Sequence, residues 1–427
     1  MRSSREALWP VACLLAIACA VRLLLSLKVS PDLLIADQDE YLSGAQRLLN
    51  GQTLAIKNSW LFIRPPGYST FIAGVWTLTG TRSLTAIKIA QALLDTATCG
   101  YLYRMAREMS SRRWAPLFAL AAAALYPYLI YYTATIHAET LFAFLLVSGT
   151  YYFARGFRTR NLRDVALGSL VLSLGNLVRA NFTVVLPFIG IWLVWRWWHN
   201  KRRLIAIAAA IAVPLFTVTL PWNYAVWRQG LGVVWVTDGG GINFYEGQND
   251  LAARLYCEDP PLEERIKLIV GESPPPPEYA LARQLAPKDQ QKVYWHSGWN
   301  WFRSHLHLLP CLVPQKIYSY WRPYVHSEIY SRKMVLLSLV SVPILLLGSI
   351  GGWRAWRRGE RELTMLALLQ AIAGTLAVMF LSVPQIRYRV PVTDAALLAF
   401  FGEGMVALFG RKDHDFALSS SSSSQRE

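Results

Sequence analysis

Long apolar runs constrain the fold of this chain most, because many of them approach the length of a membrane-spanning helix, about 20 residues. Of the 427 residues, 54% are hydrophobic and only 16% are charged, whereas a soluble domain carries about 25% charged residues. This composition excludes an ordinary soluble protein, a disordered chain and a disulfide-rich scaffold. We predict an all-α polytopic membrane protein with about ten transmembrane helices, at 9–27, 85–106, 114–132, 141–154, 166–177, 182–195, 204–220, 334–352, 363–383 and 390–409.

Short basic clusters separate these runs and account for much of the formal net charge of +16. Basic residues concentrate on the cytoplasmic side of membrane proteins. If residues 66–80 lie on the membrane surface or are re-entrant, every cluster falls on one side and both termini are cytoplasmic. Clusters between apolar runs do not form the single basic face of a nucleic-acid-binding domain, so we expect no nucleic acid partner.

This topology divides the chain into four parts. Residues 1–222 form an N-terminal transmembrane module, and its first outward loop, 28–84, contains interfacial helices and the catalytic residues. Residues 223–333 form one large outward loop, 334–411 the C-terminal transmembrane helices, and 412–427 a disordered cytoplasmic tail. Cys257 and Cys311 both fall in the large loop, so a disulfide between them is left open.

Unusual polar residues collect in the outward loops. A carboxylate can deprotonate a hydroxyl or hold a divalent cation, and an arginine binds phosphate through paired charge-assisted hydrogen bonds. Together these groups fit a reaction on a lipid-linked phosphate. The sequence has no Walker loop, zinc-ligand spacing or nucleophile elbow that would support ATP or serine hydrolysis. The acidic and basic candidates are Asp37, Asp39, Arg64, His137, Glu139, Arg179, Arg387 and Arg389.

The same loops carry short motifs in a fixed order along nearly the whole chain. They are Asp37 to Tyr41, Leu48-Leu49-Asn50-Gly51, Arg64-Pro65-Pro66-Gly67-Tyr68, Leu125-Tyr126-Pro127, His137-Ala138-Glu139-Thr140-Leu141, Leu177-Val178-Arg179, Pro221-Trp222-Asn223, 240–243 and Arg387-Tyr388-Arg389-Val390-Pro391. This ordered set resembles the GT-C superfamily of polyprenyl-phosphate-sugar-dependent glycosyltransferases. The protein O-mannosyltransferase, lipid A aminoarabinose transferase and glycosyltransferase family 39-like members are the most similar. Asn223-Tyr224 stands where many relatives have Arg-Asn, and Ser69 where Pro is common, which leaves donor and acceptor identity open.

The resemblance implies a GT-C-like fold and a glycosyltransferase of the bacterial inner membrane. It would move a sugar from a polyprenyl-phosphate donor to a lipid, glycan or protein acceptor on the periplasmic face, among membrane lipids. The reaction would be an inverting displacement in which Asp37 accepts the acceptor's proton, with Asp39 and Glu139 as further acidic candidates.

The resemblance and the loop positions together also imply binding roles. The donor phosphate would be bound by Arg64, Arg179, Arg387 and Arg389. Substrate contacts are expected from Tyr41, Tyr68, His137, Asn223 and Asn243. No cofactor is assigned with certainty, and a divalent metal at Asp37 and Asp39 is left open, because members of the superfamily differ in this respect.

The main alternative is a transporter or flippase of lipid-linked sugars, and a third is a non-catalytic membrane scaffold. A transporter should carry charged residues along a path at mid-membrane and broken helices in matching halves. In this sequence the unusual charges concentrate in the outward loops instead. Their distribution favours the enzyme.

Overall fold

The computed structural model describes residues 2–30, 37–54, 64–110, 112–381 and 384–409. These residues form helices and connections, with no strand among them. A short 3₁₀ helix covers Leu306–Leu308 and a π-helix covers Val390–Asp394. The α-helices are α1 (Arg2–Lys28), α2 (Gln38–Leu49), α3 (Gly67–Thr79), α4 (Leu84–Met109), α5 (Ala115–Leu125), α6 (Pro127–Thr133), α7 (Glu139–Thr159), α8 (Leu162–Val178), α9 (Asn181–Trp197), α10 (Lys201–Arg228), α11 (Gly240–Gly247), α12 (Asp250–Cys257), α13 (Leu262–Val270), α14 (Pro277–Arg283), α15 (Pro287–Ser304), α16 (Leu309–Trp321), α17 (Arg332–Ser338), α18 (Ser341–Arg357), α19 (Arg361–Leu381), α20 (Ile386–Arg389) and α21 (Ala395–Phe409).

Each of the ten predicted spans coincides with one of these helices or with a consecutive group of them. Five helical stretches in the described ranges are long and apolar enough to cross a membrane, and a sixth qualifies if α5 and α6, bent by 48° at their junction, count as one span. The prediction of an all-α multi-pass membrane protein is confirmed. The number ten stays a prediction, because helices such as α4 carry charged residues that lower their mean hydropathy.

The ambiguous stretch 66–80 forms α3, which has 13 residues. At a rise of 1.5 Å per residue it is about 20 Å long, shorter than the roughly 30 Å hydrocarbon core. It packs against α2, α4 and α8. Its first residue, Gly67, lies so close to the end of α8 that a Cβ there would be 2.7 Å from the carbonyl oxygen of Leu177. The glycine of the Arg-Pro-Pro-Gly-Tyr motif is therefore required by close backbone packing.

Helix α10 continues beyond the predicted boundary at residue 222 and ends at Arg228, with Pro214 and Pro221 inside it. A proline removes one helical hydrogen bond, and neighbouring groups can compensate for this loss in membrane helices. Here Trp222 Nε1 donates to the Val236 carbonyl at 2.8 Å, which fixes the following connection against the helix. The large segment after α10 therefore begins at residue 229.

The large segment is a small helical layer, α11 to α16, at one end of the bundle. Helix α11 packs against α15 and α19. The disulfide that the sequence left open is present, and Cys257 at the end of α12 is joined to Cys311 of α16. The predicted tail, 412–427, lies outside the described residues.

The opposite end of the bundle, here called the Arg158 face, is held by ion pairs between helix ends. Arg158 pairs with Glu108 and lies 3.9 Å from Glu360, while Arg358 Nη1 lies 2.6 Å from Glu403. Stacking of Phe157 on Trp197, with centroids 5.6 Å apart, brings the α9–α10 connection to the same face. Basic clusters of four inter-helix connections therefore share one face, as the sequence predicts.

Arg22 joins three helices inside the bundle. Its side chain is fully buried, and Nε lies 2.5 Å from Asp95 Oδ2 of α4. The other four N–H groups donate to the carbonyls of Ala18, Ala123 and Ala124 at 2.9–3.0 Å and to Cys99 Sγ at 3.3 Å. All five donors of the guanidinium are satisfied, so α1, α4 and α5 are held together at one point.

We expect Asp95→Asn to lower the free energy of unfolding by about 3–5 kcal/mol, because it leaves the buried Arg22 charge without its counter-ion. The double variant Arg22→Met/Asp95→Leu removes both charges and should lose less. Equilibrium unfolding in mixed detergent micelles measures both. A double variant less stable than the single one would show that the hydrogen bonds, and not charge pairing, dominate at this point.

Candidate active site

Asp37 lies at the centre of a cluster of charges at the other end of the bundle, here called the Asp37 face. Its Oδ1 lies 2.5 Å from Arg64 Nη2, and its Oδ2 lies 3.1 Å from Arg387 Nη1. Three of the predicted residues, separated by up to 350 positions in sequence, therefore meet at one carboxylate. The structure thus brings together side chains from the first loop and from the last connection of the chain.

Asp37 has a left-handed backbone conformation, with φ of 88°. A non-glycine residue in this region costs roughly 1–2 kcal/mol, and such strain is typical of functional sites. Although Asp37 precedes α2, its carboxylate makes no cap hydrogen bond. The side chain is thus committed to the two arginines and not to the helix that follows it.

Arg64 is held by several negative or aromatic groups. Besides Asp37, it contacts Glu40, with Nε 2.6 Å from Oε2, and lies over the ring of Tyr41 at 5.9 Å. Burial would lower the pKa of Arg64, but Tyr41, Asp37 and Glu40 outweigh burial and raise it. Arg64 is therefore a permanent cation whose position is fixed before any ligand arrives.

A second ion pair flanks the Asp37 cluster. Arg179 Nη1, at the end of α8, lies 3.2 Å from Glu139 Oε1 at the start of α7. Tyr388 connects the two groups, because the guanidinium carbons of both Arg179 and Arg387 lie 5.3 Å from its ring centroid. A cation over an aromatic face is attracted by the ring quadrupole. Tyr388 thus holds two arginines near each other despite their like charges.

His137 is buried beside these charges, and neither ring nitrogen has a hydrogen-bond partner among the described residues. Burial lowers the pKa of His137, and the effect of Glu139 and Asp37 is opposed by that of Arg387 and Arg179. The imidazole is therefore neutral at pH 7 and offers one donor and one acceptor. Both buried ring nitrogens thus have unused hydrogen-bonding capacity toward the described residues.

Arg389 does not join the cluster. Its guanidinium is fully buried and makes a two-pronged contact with Asp394, at 2.8 and 3.1 Å. The remaining nitrogen donates to the carbonyls of Tyr320 and Arg322, and Asp394 also accepts from Tyr126 Oη at 2.5 Å. Arg389 and Arg387 lie two positions apart on α20. Their side chains therefore project from nearly opposite sides of the helix and have different surroundings.

Several predicted substrate residues are engaged in packing. The buried hydroxyl of Tyr68 donates to Gln91 Oε1 at 2.6 Å, and its ring meets Tyr41 edge-on at 4.8 Å. With its amide nitrogen turned toward the following connection, Asn223 donates to the carbonyls of Val234 and Trp235. Asn243 Nδ2 donates to the Gly239 carbonyl at 2.7 Å. Of these, only Tyr41 touches a charged member of the Asp37 cluster.

Asp39 is exposed on the first turn of α2, where no ion pair holds it within the described ranges. The described residues contain no group of three or more His, Cys, Asp or Glu side chains placed to bind a metal ion. The metal left open at Asp37 and Asp39 is therefore not supported by a preformed ligand set in these ranges.

Glu246 of α11 is a further acidic candidate that no sequence motif singled out. It is partly buried, lies within electrostatic reach of Arg387, Arg64 and Asp37, and its Oε1 accepts a hydrogen bond from Tyr279 at 3.3 Å. Burial raises the pKa of Glu246, and Tyr279, Arg387 and Arg64 oppose this only in part. The position of Glu246 relative to Asp37 depends on how the large segment packs on the bundle. No short sequence pattern predicts that packing.

We expect Arg389→Gln and Arg387→Gln to differ in stability. The first leaves Asp394 buried without its partner and should cost about 3–5 kcal/mol. The second breaks a partly exposed pair and should cost about 1 kcal/mol. Unfolding in detergent micelles, followed by circular dichroism, measures both. Equal losses would contradict the division into an internal and a site-facing arginine.

Comparison with known proteins supports the motif-based resemblance. Residues 63–222 match the family model "Dolichyl-phosphate-mannose-protein mannosyltransferase". No curated protein sequence matches the chain.

Solved structures share the fold. The archaeal oligosaccharyltransferase AglB from Archaeoglobus fulgidus, in complex with an inhibitory peptide and a dolichol-phosphate, superposes with a TM-score of 0.53 at 12% identity, over 98% of this chain and 52% of that one. Its apo form gives 0.51 at 13% identity, with 98% and 52% coverage. ArnT from Cupriavidus metallidurans bound to undecaprenyl phosphate gives 0.41 at 16% identity, with 93% and 78% coverage. The chain spans about half the length of the oligosaccharyltransferase.

The GT-C-like fold predicted from the motifs is confirmed, and the family-model match agrees with the resemblance to membrane glycosyltransferases.

Proposed function

We propose that this protein transfers a sugar from a polyprenyl-phosphate-linked donor to a lipid, glycan or protein acceptor. The observation that carries the proposal is the pair of arginines held at Asp37, at one end of a membrane helix bundle. Two fixed cations at that position suit a lipid-borne phosphate. The family-model match over residues 63–222 supports the same reaction class.

The proposed step is an inverting displacement. A hydroxyl or amine of the acceptor attacks the anomeric carbon, and the bond from that carbon to the phosphate oxygen breaks. The phosphate leaves as a monoester and gains one negative charge. Its departure is assisted by cations that are already in place, which is the most effective form of electrostatic catalysis. In the described part of the chain, Arg64, Arg387 and Arg179 are the cations placed to contribute.

Asp37 prepares this site in the proposed mechanism. Without a donor, its carboxylate holds Arg64 and Arg387 together. A phosphate entering between them competes for the same N–H groups and releases carboxylate oxygens. Acceptance of the acceptor's proton by Asp37, as expected from the sequence, requires this release and stays a prediction.

The neutral ring of His137 is placed to make a hydrogen bond to donor or acceptor, and Glu139 orients Arg179. The donor lipid tail would lie between helices. We place the Asp37 face on the periplasmic side of a bacterial inner membrane, because the basic clusters of the Arg158 face suit the cytoplasm. Both termini would then be cytoplasmic.

The test is to incubate the purified protein with a panel of polyprenyl-phosphate sugars and a total membrane extract as the source of acceptors. We expect release of free polyprenyl phosphate from at least one donor. Asp37→Asn should slow this release by at least about 100-fold. Asp39→Asn is the matched control, since Asp39 is exposed and close in sequence, and it should stay within a few-fold of the wild-type rate.

Two outcomes would contradict the proposal. Equal release by wild type and Asp37→Asn would remove Asp37 from the mechanism. Movement of lipid-linked sugars across liposomes without release of polyprenyl phosphate would identify a flippase instead.

A further inference from the structure

Glu246 of the large segment lies within electrostatic reach of Asp37, Arg64 and Arg387, and its position is fixed from two sides. Helix α11 is joined to α14 by a reciprocal pair of hydrogen bonds. Tyr279 donates to Glu246 at 3.3 Å, and Tyr245 donates to Glu278 at 2.6 Å. Each helix has a tyrosine next to a glutamate, and each tyrosine donates to the glutamate of the other helix. Glu246 therefore cannot turn away without losing the hydrogen bond from Tyr279.

The end of α11 is held by a buried lysine. Lys316 of α16 donates to the Gly247 carbonyl at 2.6 Å and to the Met379 carbonyl of α19 at 3.4 Å. A cation at a helix C-terminus is favourable. Burial lowers the pKa of Lys316 to about 8. Because these contacts tie α11 to both α16 and α19, Glu246 is presented to the site by a rigid support.

The two central carboxylates have opposite surroundings. Both oxygens of Asp37 accept charge-assisted bonds from guanidinium groups, so its lone pairs are engaged by the two arginines. In the described part of the chain, Glu246 has a hydrogen bond from a neutral tyrosine and no direct ion pair. Groups whose environments diverge in this way commonly divide the tasks of a reaction between them.

Tyr279 faces Glu246 from α14 and Tyr294 from α15, and Arg387, Arg64 and Asp37 lie within electrostatic reach. Two other groups titrate at acidic pH: His137 of the site, whose pKa is lowered by burial, and Asp238 just before α11, whose pKa is raised to about 6 by burial. Lys316 lies behind Glu246, and the charged residues of α19, Arg361 and Glu362, are at the far end of that helix. A change in rate at moderately acidic pH is therefore assigned to Glu246 only when a substitution beside Glu246 moves it.

Resting on the function proposed above, we propose that Glu246 is the group that takes the proton from the attacking acceptor, while Asp37 arranges the arginines for the phosphate. The acceptor's oxygen or nitrogen forms the new bond to the anomeric carbon, and its proton passes to Glu246. The glycosidic bond to phosphate breaks, and the electron pair leaves with the phosphate. One negative charge disappears at Glu246 as one appears on the leaving group, so the net charge of the site is unchanged.

The test uses the release assay described above, together with binding of undecaprenyl phosphate. Glu246→Gln should slow release by at least about 100-fold and change undecaprenyl phosphate affinity by less than about 3-fold at pH 8. Glu278→Gln is the matched control, because it alters the other Tyr–Glu pair, and it should retain most of the rate. Asp37→Asn should reduce both release and binding.

A pH profile separates a catalytic role from a structural one. The base must be ionised, so the wild-type rate should fall as pH drops through the pKa of Glu246. Tyr279→Phe removes a hydrogen bond that lowers this pKa, and the acidic limb should therefore move to higher pH. An unmoved limb, or a Glu246→Gln variant retaining more than about a third of the wild-type rate, would overturn the assignment.

The outcomes also separate this inference from the proposed function. If the wild type releases no polyprenyl phosphate from any donor, the glycosyltransferase proposal fails and this inference fails with it. If the wild type is active and Glu246→Gln is equally active, only the assignment of the base fails. Loss of undecaprenyl phosphate binding in Glu246→Gln would make Glu246 a structural residue and also overturn the inference.

Discussion

A guanidinium group inside an apolar bundle must find an acceptor for each N–H, and this requirement organises the structure. Arg22 satisfies all five donors with groups from three helices. Arg389 satisfies four of its five donors with Asp394 and two main-chain carbonyls. Because water is absent from the hydrocarbon region, these contacts leave little freedom in how the helices meet. The arginines at the Asp37 face are positioned by a framework that other arginines hold together.

The contrast between Arg389 and Arg387 shows how neighbours in sequence can have unrelated tasks. Arg389 is fully enclosed with its carboxylate, whereas a quarter of the Arg387 side chain is exposed beside Asp37. An enclosed ion pair exchanges partners slowly, because separation would leave two unpaired charges. A partly open one can exchange a carboxylate for a phosphate. In the mechanism proposed above, the carboxylate of Asp37 occupies the two arginines until the phosphate of a donor replaces it.

Much of the fold could be predicted from the sequence, since apolar runs and basic clusters are properties of short stretches. The convergence of Asp37, Arg64 and Arg387 also followed, because topology alone puts their loops at one end. The destinations of Arg389, Tyr68 and Asn223 did not follow. Their partners, Asp394, Gln91 and the carbonyls after α10, are identified only by packing. Glu246 could not be found because its approach depends on how α11 is held by α14, α15 and α16.

Gly67 has a consequence for the dimensions of the site. It follows Arg64 by one short turn, and the backbone it touches at Leu177 precedes Arg179 by two residues. Direct contact between these two main chains sets the distance separating the two arginines. A methyl group at Gly67 would push the two main chains apart. The distance between Arg64 and Arg179 would then increase, while the charge of the site would stay the same. Under the function proposed above, the absence of a side chain at Gly67 would therefore limit the size of the anion that Arg64 and Arg179 can bind together.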